Sequence, residues 1–142
     1  MRLVIDASVA VKWFLQEPHA EADHDVAAAV LLALRSGEAE AVQPVHWPLE
    51  VAAVMARREP ERSEAAVALL DALDLEVADG VEVLLRAVRM AAELDAHLFD
   101  TLYHAVALSR DDVLVTADRR YFDRAAALGS VELLERWSPR AS

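Results

Sequence analysis

The sequence predicts an α/β fold of three layers, with helices on both faces of a parallel central sheet. Three observations lead there. Leu3-Val4-Ile5 and Val113-Leu114-Val115 are short runs of branched aliphatic residues, the form taken by strands buried on both faces of a parallel sheet. Between such runs lie stretches with apolar residues at helical spacing, and strands alternating with helices imply parallel crossovers. Both runs end towards a carboxylate, Asp6 and Asp118, at the strand end where open α/β sheets place their ligand crevices.

Taken in order, the first strand gives way to a helix over Val9 to Leu15, with Asp6 or Ser8 placed to cap it. Glu17-Pro18 breaks the pattern, and an Ala-rich covering helix follows from about Ala20 to Arg35, closed by Ser36-Gly37. Ala41-Val42-Gln43 is a weaker strand ended by Pro44, and Trp47-Pro48-Leu49-Glu50 opens a helix that runs to about Arg58 with proline in its first turn. Another amphipathic helix spans Ser63 to Leu73, before a short strand at Leu75-Glu76-Val77. Asp79 with Glu82 resembles a capping box for a scaffold helix over Val81 to Glu93, in which Val81, Leu84, Leu85 and Val88 form one apolar stripe. A helix from Phe99 to Arg110, the second clear strand, a helix from Arg119 to Leu128 stopped by Gly129, and an edge strand at Val131 to Leu134 complete the pattern.

The 142 residues suit one domain spanning 1–142, with no internal repeat or linker. Hydrophobic residues make up 56%, yet no apolar run approaches the roughly 18 residues of a membrane span, and no basic stretch precedes an apolar leader. A soluble cytoplasmic protein without membrane association is expected. The absence of cysteine excludes disulfides, thiolate metal sites and a cysteine nucleophile, so any metal must be held by oxygen or nitrogen. A net charge of −11 argues against a simple basic nucleic-acid binder. Charge is counted over the whole surface while binding is local, and the pairs Arg57-Arg58 and Arg119-Arg120 each lie near an acid in sequence.

Asp6 and Asp118 follow strands, while Glu50 and Asp100 sit in the first turns of helices that follow them. In a parallel sheet these positions share one edge, so four carboxylates from distant parts of the chain can converge on one crevice. Helix dipoles and unpaired N–H groups favour acids at three of the same positions, and placement alone leaves both readings open.

Four segments together resemble the PIN-domain nucleases, especially the small VapC-like toxins of prokaryotic toxin–antitoxin pairs. They are Val4-Ile5-Asp6-Ala7-Ser8, Pro48-Leu49-Glu50-Val51-Ala52, Phe99-Asp100-Thr101-Leu102-Tyr103-His104-Ala105, and Leu114-Val115-Thr116-Ala117-Asp118-Arg119-Arg120-Tyr121-Phe122. Each is weak alone; in register they cover nearly the whole chain. The resemblance implies a three-layer PIN-like fold in which Asp6, Glu50, Asp100 and Asp118 form an acidic metal site, with Ser8 and Thr116 in support. It also implies an RNA substrate, an antitoxin protein, and assembly as a homodimer or a toxin–antitoxin hetero-oligomer. Asp123, five residues after Asp118 and about 140° round an ideal helix from it, is assigned to the surface.

Hard oxygen ligands suit Mg²⁺ or Mn²⁺, which activate water and neutralise charge on a phosphodiester. Arg57, Arg58, Arg119 and Arg120 are candidates for RNA contact. His46, His97 and His104 are assigned to surface or packing positions, and Trp13 and Trp47 to the core. Ser8 stands where a haloacid-type phosphatase would carry a second aspartate. Three functions follow in order: an endoribonuclease toxin, a non-cleaving RNA- or protein-binding module, and a stand-alone nuclease of the same fold.

Overall fold

The computed structural model describes residues 1–16 and 23–139. Five strands form one parallel sheet: β1 (Arg2–Ile5), β2 (Glu40–Pro44), β3 (Glu76–Ala78), β4 (Val113–Thr116) and β5 (Val131–Leu133), in the order β3-β2-β1-β4-β5. Among the described residues the α-helices are α1 (Ala7–Ala10), α2 (His24–Ser36), α3 (Trp47–Arg58), α4 (Ser63–Ala72), α5 (Val81–Leu94), α6 (Leu98–Arg110) and α7 (Arg119–Ala125). They complete the three-layer α/β/α arrangement. Leu3, Val4, Ile5, Leu114 and Val115 are buried at its centre, as their aliphatic runs require.

The chain builds outward from β1 through β2 to β3, then returns to lay β4 on the other flank of β1. The order reverses between β1 and β4, which opens a crevice beyond their carboxyl ends. These two strands stay paired through Ile5 and Val115, and the Asp6 N–H donates to the Val115 carbonyl at 3.0 Å. On the opposite flank the paired register of β1 with β2 covers only Arg2 with Glu40 and Leu3 with Ala41. Beyond that point the buried side chain of Gln43 replaces the backbone ladder. Its Oε1 accepts the Ile5 N–H at 2.7 Å and its Nε2 donates to the Ile5 carbonyl at 2.8 Å.

Several local expectations are corrected. The helix expected over Val9 to Leu15 is a short α1 followed by a 3₁₀ turn at Val11–Trp13. That turn brings the Trp13 indole to α2, where it donates to the Ala27 carbonyl at 2.8 Å, and against Trp47 edge to face. Helix α2 is described from His24 to Ser36; the expected break at Glu17-Pro18 and the expected helix start at about Ala20 lie outside the described residues. Strand β2 does end at Pro44, which pairs with Ala78. The capping box of Asp79 and Glu82 does not form, because Gly80 is the N-cap and Glu82 therefore stands one position too early to reach back.

Helix α5 is held to the body of the fold by a face other than its apolar stripe. It packs on α6 through Ala87, Met90 and the half-buried Val83 and Leu94, against Leu98, Leu102 and Ala105. The expected stripe is on the other side: Val81, Leu84, Leu85 and Val88 are 66%, 44%, 50% and 50% exposed. The small side chains of Ala87 and Ala105 let the helices approach closely on the inner face, which leaves α5 apolar on two faces.

Gln43 yields a stability prediction. Replacement by Met keeps the volume and strands a buried N–H and a buried carbonyl of Ile5, each costing about 1–3 kcal/mol. Gln43→Met is expected to lower the free energy of unfolding by at least about 2 kcal/mol, read as a lower urea midpoint at unchanged slope.

Candidate active site

The carboxyl edge of the sheet collects the four acids from separate elements. Asp6 follows β1 as the N-cap of α1, Glu50 lies in the first turn of α3, Asp100 in the first turn of α6, and Asp118 caps α7. Asp6 is 8% exposed and the deepest; the others are half-buried. Asp6 feels the charges of Asp100 and Glu50, and Asp100 those of Asp118 and Glu50, so all four share one electrostatic neighbourhood.

Asp6 caps no helix N–H with its side chain. Its Oδ2 instead accepts two hydroxyls, Ser8 Oγ and, at 3.0 Å, Thr116 Oγ1. The direction of both bonds is set by what else the hydroxyls do. Ser8 Oγ accepts the Ala117 N–H at 3.0 Å and Thr116 Oγ1 accepts the Asp118 N–H at 3.0 Å. Each hydroxyl has its proton left for the carboxylate, and the turn after β4 is thereby bound to the end of β1. Asp118 uses Oδ1 to accept the Tyr121 N–H at 3.0 Å, an ordinary helix cap that leaves Oδ2 uncommitted to α7.

Burial pushes the Asp6 carboxyl up from 3.8 to about 6, with the neighbouring Asp100 and Glu50 charges adding to the rise and the two hydroxyls opposing it. Asp100 is raised by burial and then by Asp118 and Glu50. Burial also acts upward on Glu50, but the polar hydrogens of His46 and Tyr103 and the positive potential of His46 and His97 outweigh it and hold the group below its usual value. Tyr103 is fully buried beside Asp6 and Glu50, and burial followed by those charges drives its hydroxyl far upward, so it stays protonated.

A cleft of about 250 Å³ borders two of the four acids, Asp100 and Asp118, with His97, Arg120, Tyr121 and Arg124 on its walls. Asp6 and Glu50 are not on this wall. Arg120 is exposed on the cleft, while Arg119 is exposed and paired with Glu135. Arg57 and Arg58 are exposed in the last turn of α3, two turns from Glu50. Asp123 is exposed on α7, in keeping with its assignment.

Three site residues escape a sequence reading. His46, expected at a surface or packing position, is buried against Glu50, with Nε2 3.1 Å from Glu50 Oε1. Tyr103 stands one turn after Asp100 on the same helix, and Arg124 donates to the Asp95 carbonyl at the cleft. Spacing of three or four residues from a candidate acid was the available signal for the first two. His104 does fill a packing role: its Nε2 donates to the Gly129 carbonyl at 2.7 Å, so Nδ1 accepts from the Tyr121 hydroxyl at 2.9 Å, and burial holds the ring neutral by lowering its pKa.

The raised Asp6 carboxyl makes stability depend on pH. The folded protein holds this proton more tightly than the unfolded chain. The stabilisation is therefore complete below about pH 4 and lost as pH rises through about 6. At about 1.4 kcal/mol per pH unit the span is roughly 3 kcal/mol. Asp100 acts in the same direction, while Glu50, lowered, contributes stability that is lost on acidification. In chelator, unfolding free energy should fall between pH 4 and 7, and the fall should be shallower in Asp6→Asn, as measured by urea unfolding across that range.

Comparison with known proteins bears on the whole chain. The family model described as PIN domain matches residues 3–128. No curated protein matches the sequence. Among solved structures, the crystal structure of VapBC2 from Rickettsia felis bound to a DNA fragment from their promoter is similar in fold, with TM-score 0.66 and 14% identity over 97% of this chain and 100% of that one. By the match over residues 3–128, with the parallel sheet in agreement, the chain belongs to the PIN-domain family of nucleases.

Proposed function

We propose that this chain is a metal-dependent endoribonuclease that hydrolyses RNA phosphodiester bonds and acts as the toxin of a toxin–antitoxin pair in the cytoplasm. The observation that carries the reading is the convergence of Asp6, Glu50, Asp100 and Asp118 on one edge of the sheet in a chain of the PIN-domain family. Among the described residues no helix is long and apolar enough to cross a membrane.

Among the described residues no three acids or imidazoles already form a group that could hold an ion. The donor chemistry nevertheless fits Mg²⁺ or Mn²⁺. Every acid offers hard oxygen, and Glu50 Oε1 is buried without a hydrogen-bond donor. Asp6 is crowded by like charge that a cation relieves. Asp6, Glu50, Asp100 and Asp118 would hold the ion. When bound, it supplies Lewis acidity towards the phosphate oxygens and the attacking water. The chain's own groups do the rest. Ser8 and Thr116 commit Asp6 Oδ2 and leave Oδ1 as the donor, Tyr103 keeps its proton beside Glu50, and Arg120 offers charge to a phosphate from the cleft wall. Arg57 and Arg58, two turns along α3 from Glu50, and Arg119 would add charge for RNA farther from the acids.

The likeness to VapBC2 supports an antitoxin partner, and the acid cup would accept an inserted Arg or Lys side chain from it. The α5 stripe supports a second copy of the chain. Glu82, Arg86, Arg89 and Glu93 share one flank of that stripe, so a two-fold antiparallel pairing sets Glu82 of one copy against Arg86 and Arg89 of the other.

Asp6→Asn and Asp100→Asn should fold and lose at least about a hundredfold in RNA cleavage, since each removes a ligand charge that would hold the cation facing the phosphate. Wild-type-like cleavage by both variants would sink the assignment. Saturating Mn²⁺ at a hundred times its dissociation constant should add about 2.7 kcal/mol of stability to the wild type and less to either variant. Growth arrest on expression alone, relieved by a co-expressed small neighbouring protein, tests the toxin role. Leu84→Asp with Leu85→Asp should shift a sedimenting dimer to monomer without lowering the melting temperature of the monomer.

A further inference from the structure

His46 lies where the helix that carries Glu50 meets the helix that carries Asp100. Its Nε2 is 3.1 Å from the carbonyl oxygen of Phe99, the residue before Asp100, and 3.1 Å from Glu50 Oε1. The ring packs against Phe99 and Tyr103, with centroids 5.0 and 4.6 Å apart. His46 Nδ1 is buried and has no partner among the described residues.

These contacts determine which nitrogen carries hydrogen. A carbonyl only accepts, so Nε2 must donate. One hydrogen then faces two acceptors. The Phe99 carbonyl accepts it, and Glu50 Oε1 lies within reach of the same nitrogen. The imidazole edge therefore braces the Glu50 carboxylate while its N–H is anchored to α6.

We propose that His46 is a positioning residue that sets the separation of the Glu50 and Asp100 carboxylates for a divalent cation by tying the start of α3 to the Phe99 peptide. The inference rests on the reading of the four acids as a metal site. His46 is not itself a ligand: Nε2 is engaged and Nδ1 is enclosed. Groups that orient ligands in this way change metal affinity 10- to 100-fold when replaced.

The test uses the whole chain and Mn²⁺ as the probe. His46→Phe keeps a ring against Phe99 and Tyr103 and removes the N–H, whereas His46→Gln restores an N–H of similar reach. Mn²⁺ dissociation constants from titration calorimetry are compared with melting temperatures of the metal-free proteins. The expected result is at least about tenfold weaker Mn²⁺ binding in His46→Phe, substantial recovery in His46→Gln, and metal-free melting of the Phe variant within a few degrees of wild type. Wild-type Mn²⁺ affinity in His46→Phe overturns the proposal, as does equal weakening in both variants, which would make the ring's fit the sole cause. If the wild type binds no Mn²⁺, the metal reading fails and this proposal with it; the first two outcomes, with wild-type binding intact, remove this proposal alone.

Discussion

Two hydroxyls meeting on one carboxylate oxygen hold the site end of this fold together. Ser8 and Thr116 each accept a backbone N–H from the turn after β4 and donate to Asp6 Oδ2. Each is saturated in both senses, so the arrangement leaves no polar group stranded at a depth where an unpaired one costs about 1–3 kcal/mol. It also binds β1 to β4 beyond the last paired residues, at the point where the strand order reverses. On the other flank the Gln43 carboxamide clamps the Ile5 peptide. The backbone on both sides of Asp6 is thus determined by side chains from neighbouring strands.

That rigidity explains how the protein tolerates a crowded set of acids. Carboxylates about 4 Å apart would repel by about 4 kcal/mol at an effective dielectric of 20, and burial adds to the penalty on the charged form. The chain answers differently at each position. Asp6 is raised by burial and then by its acidic neighbours despite two donors, Asp100 is raised by burial first, and Glu50 is lowered by the polar hydrogens beside it. The acids therefore differ in proton affinity although their side-chain chemistry is nearly the same. A cup built in this way favours a cation, whether an ion or an inserted basic side chain, and the surrounding tyrosines stay protonated to bound it.

The sheet, the order of strands and helices, and the edge position of the four acids were legible in the chain. Aliphatic runs ending on Asp6 and Asp118 and acids in the first turns at Glu50 and Asp100 are local patterns, and local patterns report local backbone and a shared edge. Helix ends were less legible. Gly80 rather than Asp79 caps α5, and α1 tightens into a 3₁₀ turn, because both depend on contacts made elsewhere. Periodicity identified the α5 stripe as apolar and left its placement open, and the structure puts it at the surface. An amphipathic pattern says that a face is apolar, not which of two apolar faces the core takes.

The sequence by itself determined the fold class and which residues carry carboxylates to the same edge, since strand direction and helix starts follow from short-range patterning. Only the tertiary structure decided which oxygen of Asp6 the hydroxyls occupy, that Gln43 replaces a stretch of ladder, and that His46 reaches both Glu50 and the Phe99 carbonyl. The physical reason is separation along the chain. Thr116 lies 110 residues from Asp6, Gln43 38 from Ile5, and His46 53 from Phe99. Hydrogen bonds across such distances have no periodicity to betray them and exist only once the core has brought their partners together.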